Sequence, residues 1–378
     1  MDLWQKVDLL GRAAQWDACQ GCGTQMHRKA DVAGQWIYPA VRPDGRRVRL
    51  LKVLQSNVCQ NDCRYCAFRA AHDLPRTAFT PDELAHLFVD LYHSGRADGL
   101  FLSSGVCGEA NHAAERMLAT VELLRIKYRL RCYIHFKLLP GVQDGIIEAA
   151  MRWADRVSTN LEAPNPERLQ ALSTAKDFDG QLLGTLRRAQ QMREQLGSRV
   201  SLTTQFVVGA AGETDAELLQ RVAALYRELH LARAYYSAFQ PVSHTPLEAH
   251  PPTPLWREHR LYQADFMLHQ YGFDVGELVL DGKGNLPREA DPKLAWARQH
   301  PERFPIEINT APRSELLRIP GIGPKTADVI LQRRRLGGLR DLHHLGLNSA
   351  GERAAAPYVL LDGRRPIHQL ELWATHLA

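Results

Sequence analysis

From about residue 48 to residue 240 the chain alternates short β-rich runs with longer amphipathic stretches. The candidate strands are Leu50–Asn57, Gly99–Ser104, Arg131–Leu138, Arg156–Glu162, Val200–Val208 and Arg233–Gln240. Helical patterns fall between them, over Thr80–Ser94, Ala113–Tyr128, Val142–Trp153, Gln181–Leu196 and Thr214–His230. The first opens Thr80-Pro81-Asp82-Glu83, which joins an N-cap hydroxyl, a proline at the first helical position and a glutamate able to close a capping box. Six strands with helices between them argue for a parallel sheet, either doubly wound or curled into a barrel.

Polar residues two apart favour the barrel. His135 and Lys137, then Ser158, Asn160 and Glu162, then Thr203 and Gln205 each share one face of a strand. Helices would cover the outer face, so these groups point into a polar lumen; the simpler alternative for any one of them is a strand end in water. The expected class is therefore α/β. Composition agrees: 378 residues with 45% hydrophobic and 24% charged are ordinary for globular proteins and exclude disordered, collagen-like and low-complexity chains. No apolar run approaches the roughly 18 residues of a membrane span, and the first residues lack a signal-peptide core. The expected location is the cytoplasm. Seven cysteines in a reducing compartment read as ligands, nucleophiles or core filler rather than disulfides.

The sharpest chemical signal is Cys59-Gln-Asn-Asp-Cys63-Arg-Tyr-Cys66, directly after a candidate strand. Three thiolates this close can converge on one inorganic core. They can neither complete a four-cysteine zinc site nor saturate a four-iron cluster. One iron would stay open, as a catalytic cluster needs; a structural zinc site recruiting a fourth ligand is the alternative. Cys19 and Cys22, with His27 nearby, are candidates for a second metal without an evident fourth ligand. Cys107 follows Ser103-Ser104-Gly105 and is a candidate hydrogen donor, or a small buried side chain like Cys132. His135, Lys137 and Cys107 are the lumen candidates for catalysis.

The C-x3-C-x2-C run with Tyr65 before its last cysteine, followed by βα units, resembles the radical SAM superfamily. The resemblance implies a partial (β/α)6 TIM-like barrel with its site at the C-terminal strand ends. It implies a [4Fe–4S] cluster on Cys59, Cys63 and Cys66, with S-adenosylmethionine on the fourth iron and a reductant such as flavodoxin or ferredoxin. Tyr65 would lie by the adenine, Ser103, Ser104 and Gly105 by the methionine amino group, and Asn160 and Glu162 by the ribose or carboxylate. Gln205 and Val207 belong to the fifth strand, where Val207-Val208-Gly209-Ala-Ala-Gly212-Glu213 resembles the element beside the adenine. Two departures stand out. The second-strand element lacks the family's glycine pair and acid, and Gln205 replaces a frequent glycine.

Charge marks the other end of the chain. Between Arg313 and Pro366 there are 10 Lys/Arg against 5 acids, which leaves 37 of each sign elsewhere, so the net +5 sits in this stretch. It surrounds Leu316-Leu-Arg-Ile-Pro-Gly321-Ile-Gly323-Pro-Lys325, which resembles a helix–hairpin–helix motif. Two glycines allow a tight hairpin whose amides, at the start of the next helix, bind phosphate. Lys325, Arg333 and Arg334, with Arg335, add charge there, so DNA binding through Gly321, Gly323 and these residues should be salt-dependent and indifferent to sequence. A degenerate second copy is expected at Leu342–Leu361. The alternative is a hairpin that only packs the module onto the barrel.

Four domains are expected: an extension over 1–45, the barrel over 46–240, a family-specific element and linker over 241–305, and a small all-α helix–hairpin–helix domain over 306–378. The whole chain resembles a bacterial radical SAM subfamily described as DNA modification or repair proteins, through Phe101–Gly105, Tyr133–Lys137, Tyr236–Phe239 and Gly284–Pro287. That resemblance implies an enzyme acting on a base or sugar of DNA, extruded if the DNA is duplex. RNA or a small molecule with the module as an anchor, and a non-catalytic metal-stapled DNA-binding protein, are the alternatives.

Overall fold

Seven strands pair in chain order: β1 (Ile37–Val41), β2 (Arg47–Leu54), β3 (Gly99–Ser103), β4 (Tyr133–Lys137), β5 (Arg156–Ser158), β6 (Ser201–Val208) and β7 (Arg233–Ala238). The computed structural model describes residues 1–14, 31–41 and 45–366. β2 to β7 are the six expected strands and run parallel. β1 is an antiparallel edge that the sequence analysis does not anticipate. Its middle residue is Pro39, which removes a ladder donor and is tolerated at an edge. β5 stops at Ser158 although its β-rich run continues to Glu162. There the hydroxyl of Thr204 donates to the Thr159 carbonyl (2.8 Å) and accepts from the Leu161 amide (3.2 Å), lifting 159–161 out of the ladder.

One face of this sheet is apolar and sealed. Leu51, Val53, Leu100, Leu102, Ile134, Phe136, Val157, Leu202, Phe206 and Val208 are all fully buried there. Each contributes about 1.5–3 kcal/mol relative to exposure. Six helices in the βα connections supply the cover: α2 (Pro81–His93), α3 (Ala110–Glu122), α4 (Asp144–Trp153), α5 (Pro166–Leu172), α6 (Gly184–Gln195) and α7 (Asp215–Leu229); α1 (Leu3–Ala13) precedes the sheet. Thr80 caps α2 in the expected capping box with Glu83. With helices on one face, the sheet curls about the other into an open half-barrel. The register aligns Phe101, His135, Arg156 and Ser201 in one inward row and Lys137, Ser158, Thr203 and Arg233 in the next.

The chain divides into two compact units, 1–259 and 260–378, so the segment 241–305 is shared between them. The second unit holds α9 (Pro292–Gln299), α10 (Arg313–Leu316), α11 (Pro324–Arg333) and α12 (Ser349–Ala355), with α8 (Leu255–Gln270) leading into it. To the expected helices it adds a two-residue parallel ladder, β8 (Ile306–Glu307) with β9 (Val359–Leu360). Ile308, Leu316, Ile319, Ile322, Ala327, Ile330 and Val359 form its core. No described helix is long and apolar enough to cross a membrane.

Candidate active site and hairpin

The three cysteines lie on the loop that follows β2, and long-range contacts shape that loop. Arg76 gathers four of its carbonyls: Asn57 (2.6 Å), Phe68 (3.0 Å), Arg69 (2.9 Å) and His72 (2.8 Å). Asp62, between the first two cysteines, accepts from the Ser173 hydroxyl, from the Thr174 amide (2.9 Å) and hydroxyl (2.6 Å), and from the Ala175 amide (3.3 Å). Burial alone would raise the pKa of Asp62, but these donors outweigh it and hold the carboxyl well below its usual range. Gly105 completes the seat. A Cβ there would come within 2.4 Å of the Val58 carbonyl and 3.1 Å of the Cys59 Cβ, so the glycine lets the loop after β3 lie against the cysteine loop.

Burial pushes the Cys63 thiol up, and burial with Cys63 close by pushes Cys66 up to about 12. Such thiols stay protonated unless a cationic centre compensates them, which is what an iron–sulfur core provides. Among the described residues no three His, Cys, Asp or Glu side chains gather around a single metal ion. Cys59, Cys63 and Cys66 lie close enough to act on one another's charge, as ligands of one shared multi-iron core must.

Glu162 and Lys176 meet beside the thiols. Their ion pair is 3.1 Å long, and both side chains are more than nine-tenths buried. Burial would depress Lys176, but Cys63 and Glu162 outweigh it and raise the ammonium well above its ordinary value. Tyr65 lies beside Glu162, and burial followed by the charge of Glu162 raises the phenol well above its usual value. Glu162 itself has φ of +65° and re-enters the ladder opposite Phe206, with its amide on the Gln205 carbonyl (3.0 Å) and its carbonyl accepting from Val207 (2.8 Å). Lys176, Asp62 and Arg76 escaped the sequence analysis. Asp62, set between two cysteines, was the one visible signal.

Of the other candidates, Ser103 is buried at the end of β3, Ser104 donates to the Gly105 carbonyl (2.8 Å), and Asn160 is half-buried beyond β5. His135 and Ser158 meet at 2.9 Å in the lumen, and Gln205 donates to Ser237 (2.9 Å). Lys137 ends β4 on the same face. Cys107 lies apart from this row, in a small cavity of about 90 Å³ with Ser104, His112 and Arg116. After β6, Glu213 folds back to accept from the amides of Gly209 and Ala211 (3.2 Å), and Arg257 holds Asp215 at 2.7 Å. Those bonds shape the turn expected beside the adenine. Cys19, Cys22 and His27 fall outside the described residues.

In the second unit the two hairpin glycines have different roles. Gly321 has φ of +80°, and a Cβ there would come within 2.5 Å of the Gly351 carbonyl. Gly323 has extended backbone, and its Cβ would meet only the Tyr271 hydroxyl, at an ordinary 3.5 Å. It is the N-cap of α11 and no side chain caps that helix, so the amides of Lys325 and Thr326 lack an intrahelical acceptor. Lys325, Arg333 and Arg335 are exposed. Arg334 is half-buried instead and donates to the carbonyls of Ala311 (2.6 Å) and Ile308 (3.4 Å). Where the second copy is expected, the chain forms a 3-10 turn at Leu342–Leu345, left-handed Gly346 and α12.

The supposed linker braces this hairpin. Lys293, 7% exposed, donates to the carbonyls of Leu317 (2.9 Å) and Ile322 (2.5 Å), which bracket the turn, and lies 4.6 Å over the Tyr271 ring. Arg318 reaches Glu277 at 2.5 Å and stacks over Phe273 (4.3 Å) and Trp296 (4.8 Å).

Comparison with known proteins agrees with both halves. Residues 53–225 match the Radical SAM superfamily and residues 306–332 match the helix-hairpin-helix motif. The 7,8-didemethyl-8-hydroxy-5-deazariboflavin synthase of Methanosarcina mazei is 25% identical over 214 residues, 52% of this chain and 60% of its own length. That of Methanosarcina barkeri is 24% identical over 216 residues, 52% and 62%. The chain thus spans about three fifths of these relatives. Among solved structures, a maturase of the [FeFe]-hydrogenase superposes with a TM-score of 0.48 at 12% identity, over 58% of this chain and 49% of its own. Methylornithine synthase does so with a TM-score of 0.48 at 15% identity, over 70% and 68%. The chain carries a Radical SAM superfamily domain, the domain of enzymes that use a [4Fe–4S] cluster and S-adenosylmethionine, and a helix-hairpin-helix motif over residues 306–332.

Proposed function

We propose that the chain is a cytoplasmic radical SAM enzyme that modifies or repairs DNA, with its second unit gripping the DNA backbone. The observation that carries the DNA reading is the uncapped start of α11 behind Gly323, with exposed Lys325 in its first turn and exposed Arg333 and Arg335 at the helix's far end. A helix start of this kind binds phosphate oxygens without reading bases.

When bound, the cluster and S-adenosylmethionine supply a 5′-deoxyadenosyl radical that takes hydrogen from the substrate, with electrons from flavodoxin or ferredoxin. Cys59, Cys63 and Cys66 would hold the cluster. Lys176 compensates the Glu162 carboxylate and places its positive charge near the Cys63 thiol, so the seat keeps its shape and excludes water. The Glu213 turn and the ends of β3 and β5 would hold the nucleoside and amino-acid ends of S-adenosylmethionine. His135, kept neutral in the lumen, faces the substrate side.

The test is anaerobic reconstitution with S-adenosylmethionine and dithionite, measuring 5′-deoxyadenosine with and without DNA and mass-mapping the DNA. Stimulation by DNA with a changed nucleotide supports the reading; an intact cluster that yields no deoxyadenosine sinks the enzyme. A second reading takes a small-molecule substrate, as the synthase names of the curated relatives suggest. It predicts a yield indifferent to DNA.

A further inference from the structure

We infer that the lumen of the half-barrel contains a phosphate-binding subsite built on Arg156 and Thr203, so that the substrate carries a phosphoryl group. This rests on the radical SAM reading of the barrel and is independent of the hairpin.

Arg156 opens β5 with its side chain inward and only 8% of the residue exposed. Its guanidinium donates to Ser201 Oγ (3.0 Å) and Tyr235 Oη (2.9 Å), both neutral. Among the described residues no acid forms an ion pair with Arg156: Asp155 is held by Arg125, Glu162 by Lys176, Asp215 by Arg257 and Glu217 by Arg168. A buried guanidinium is normally balanced by an anion, because hydroxyls solvate it without cancelling its charge.

The surroundings add positive charge. Lys52 and Lys137 face the same lumen, and burial followed by the charges of Arg156, Lys52 and Lys137 holds His135 neutral. A second observation is independent of charge. Thr203 is fully buried on the inward face between Ser158 and Arg233, and its hydroxyl has no hydrogen-bond partner. A buried orphan hydroxyl is destabilising until an acceptor arrives. One ligand with several anionic oxygens would answer both observations. A carboxylate offers two oxygens and one charge. A phosphate ester offers up to three oxygens and a charge near −2, a better match to the guanidinium, the orphan hydroxyl and the hydroxyls around them.

Isothermal titration of the cluster-loaded full chain tests this, using inorganic phosphate and the four 2′-deoxynucleoside 5′-monophosphates, each against its parent nucleoside. Monophosphates should bind at least about 10-fold more tightly than nucleosides. Arg156→Met should weaken them by about 10- to 100-fold, and Arg156→Lys by less, since a charged hydrogen-bonded pair is lost in the first and loosened in the second. Thr203→Val should weaken them several-fold without lowering the unfolding temperature of the free protein, a combination that a purely structural threonine does not give. S-adenosylmethionine affinity should stay unchanged in all three.

Equal binding of monophosphates and nucleosides overturns the inference, as does unchanged phosphate affinity in both Arg156→Lys and Thr203→Val, which serve if Arg156→Met does not fold. An equal loss for S-adenosylmethionine overturns it too, by assigning Arg156 to that carboxylate. Filter retention of DNA is measured in parallel. Retention with no lumen phosphate binding defeats this inference alone, and phosphate binding without retention defeats only the DNA reading.

Discussion

Lys293 offers a quantitative handle on the hairpin. Burial lowers its pKa from the model-peptide value of 10.5 to about 7, with Asp291 opposing only part of the shift. A depressed ammonium means that the folded state has released a proton which the unfolded chain still binds between these two values. Stability therefore rises with pH across that window, and the gain is absent below about pH 7, where both states are charged. A shift of this size corresponds to on the order of 5 kcal/mol over the full window, of which roughly 2–3 kcal/mol should develop between pH 6.5 and 9. The neutral amine keeps two N–H donors, enough for the Leu317 and Ile322 carbonyls. Lys293→Met removes both donors, at about 1–3 kcal/mol for each carbonyl left unpaired, and removes the pH slope with them. Urea titrations of the full chain at both pH values, read by exchange protection of peptides from 306–333 and corrected for intrinsic exchange, measure the effect. Wild type should gain on the variant as pH rises; parallel pH dependences would refute the reasoning.

Replacing any one of Cys59, Cys63 or Cys66 with Ala should abolish the visible absorbance of the reconstituted cluster. Lys176→Met strands the buried Glu162 carboxylate and should cost about 3–5 kcal/mol in the apoprotein, most of it recovered when Glu162→Gln is added, as chemical unfolding would register. Gly321→Ala should destabilise the second unit by about 1–3 kcal/mol or more, because the added Cβ is both strained and obstructed. Gly323→Ala should leave that unit folded and weaken DNA retention. Lys325→Glu should reduce the salt slope of retention by at least about 1.

Much of the barrel was legible because its signals are local. The inward alternation of β4 to β6 and the outward apolar residues follow from a two-residue period that any neighbour leaves intact. What stayed hidden depends on contacts between distant segments. Asp62 acquires its role from Ser173–Ala175, and Arg76 from four carbonyls of a loop whose path the sequence does not encode locally. Lys293 sits in a proline-rich stretch that reads as a connector, yet its amino group ties both sides of the hairpin. Gly321 and Gly323 look equivalent in the sequence, and their backbone conformations and the position of Gly351 separate them.

Glu162 shows how the same limit applies at the active site. Its place near the end of a β-rich run marked it as inward and polar, but not its left-handed backbone, which costs a non-glycine residue about 1–3 kcal/mol. Two ladder bonds to β6 and the buried Lys176 pair hold it there. Regular strand geometry from Ser158 onward would put residues 160 and 162 on the same face in succession. The Thr204 staple breaks that succession, and the left-handed turn brings the carboxylate to Tyr65 and Lys176 instead. The strain is thus the means by which one acidic side chain leaves the lumen row and joins the cysteine loop, leaving the Arg156 guanidinium in the lumen with only hydroxyl partners.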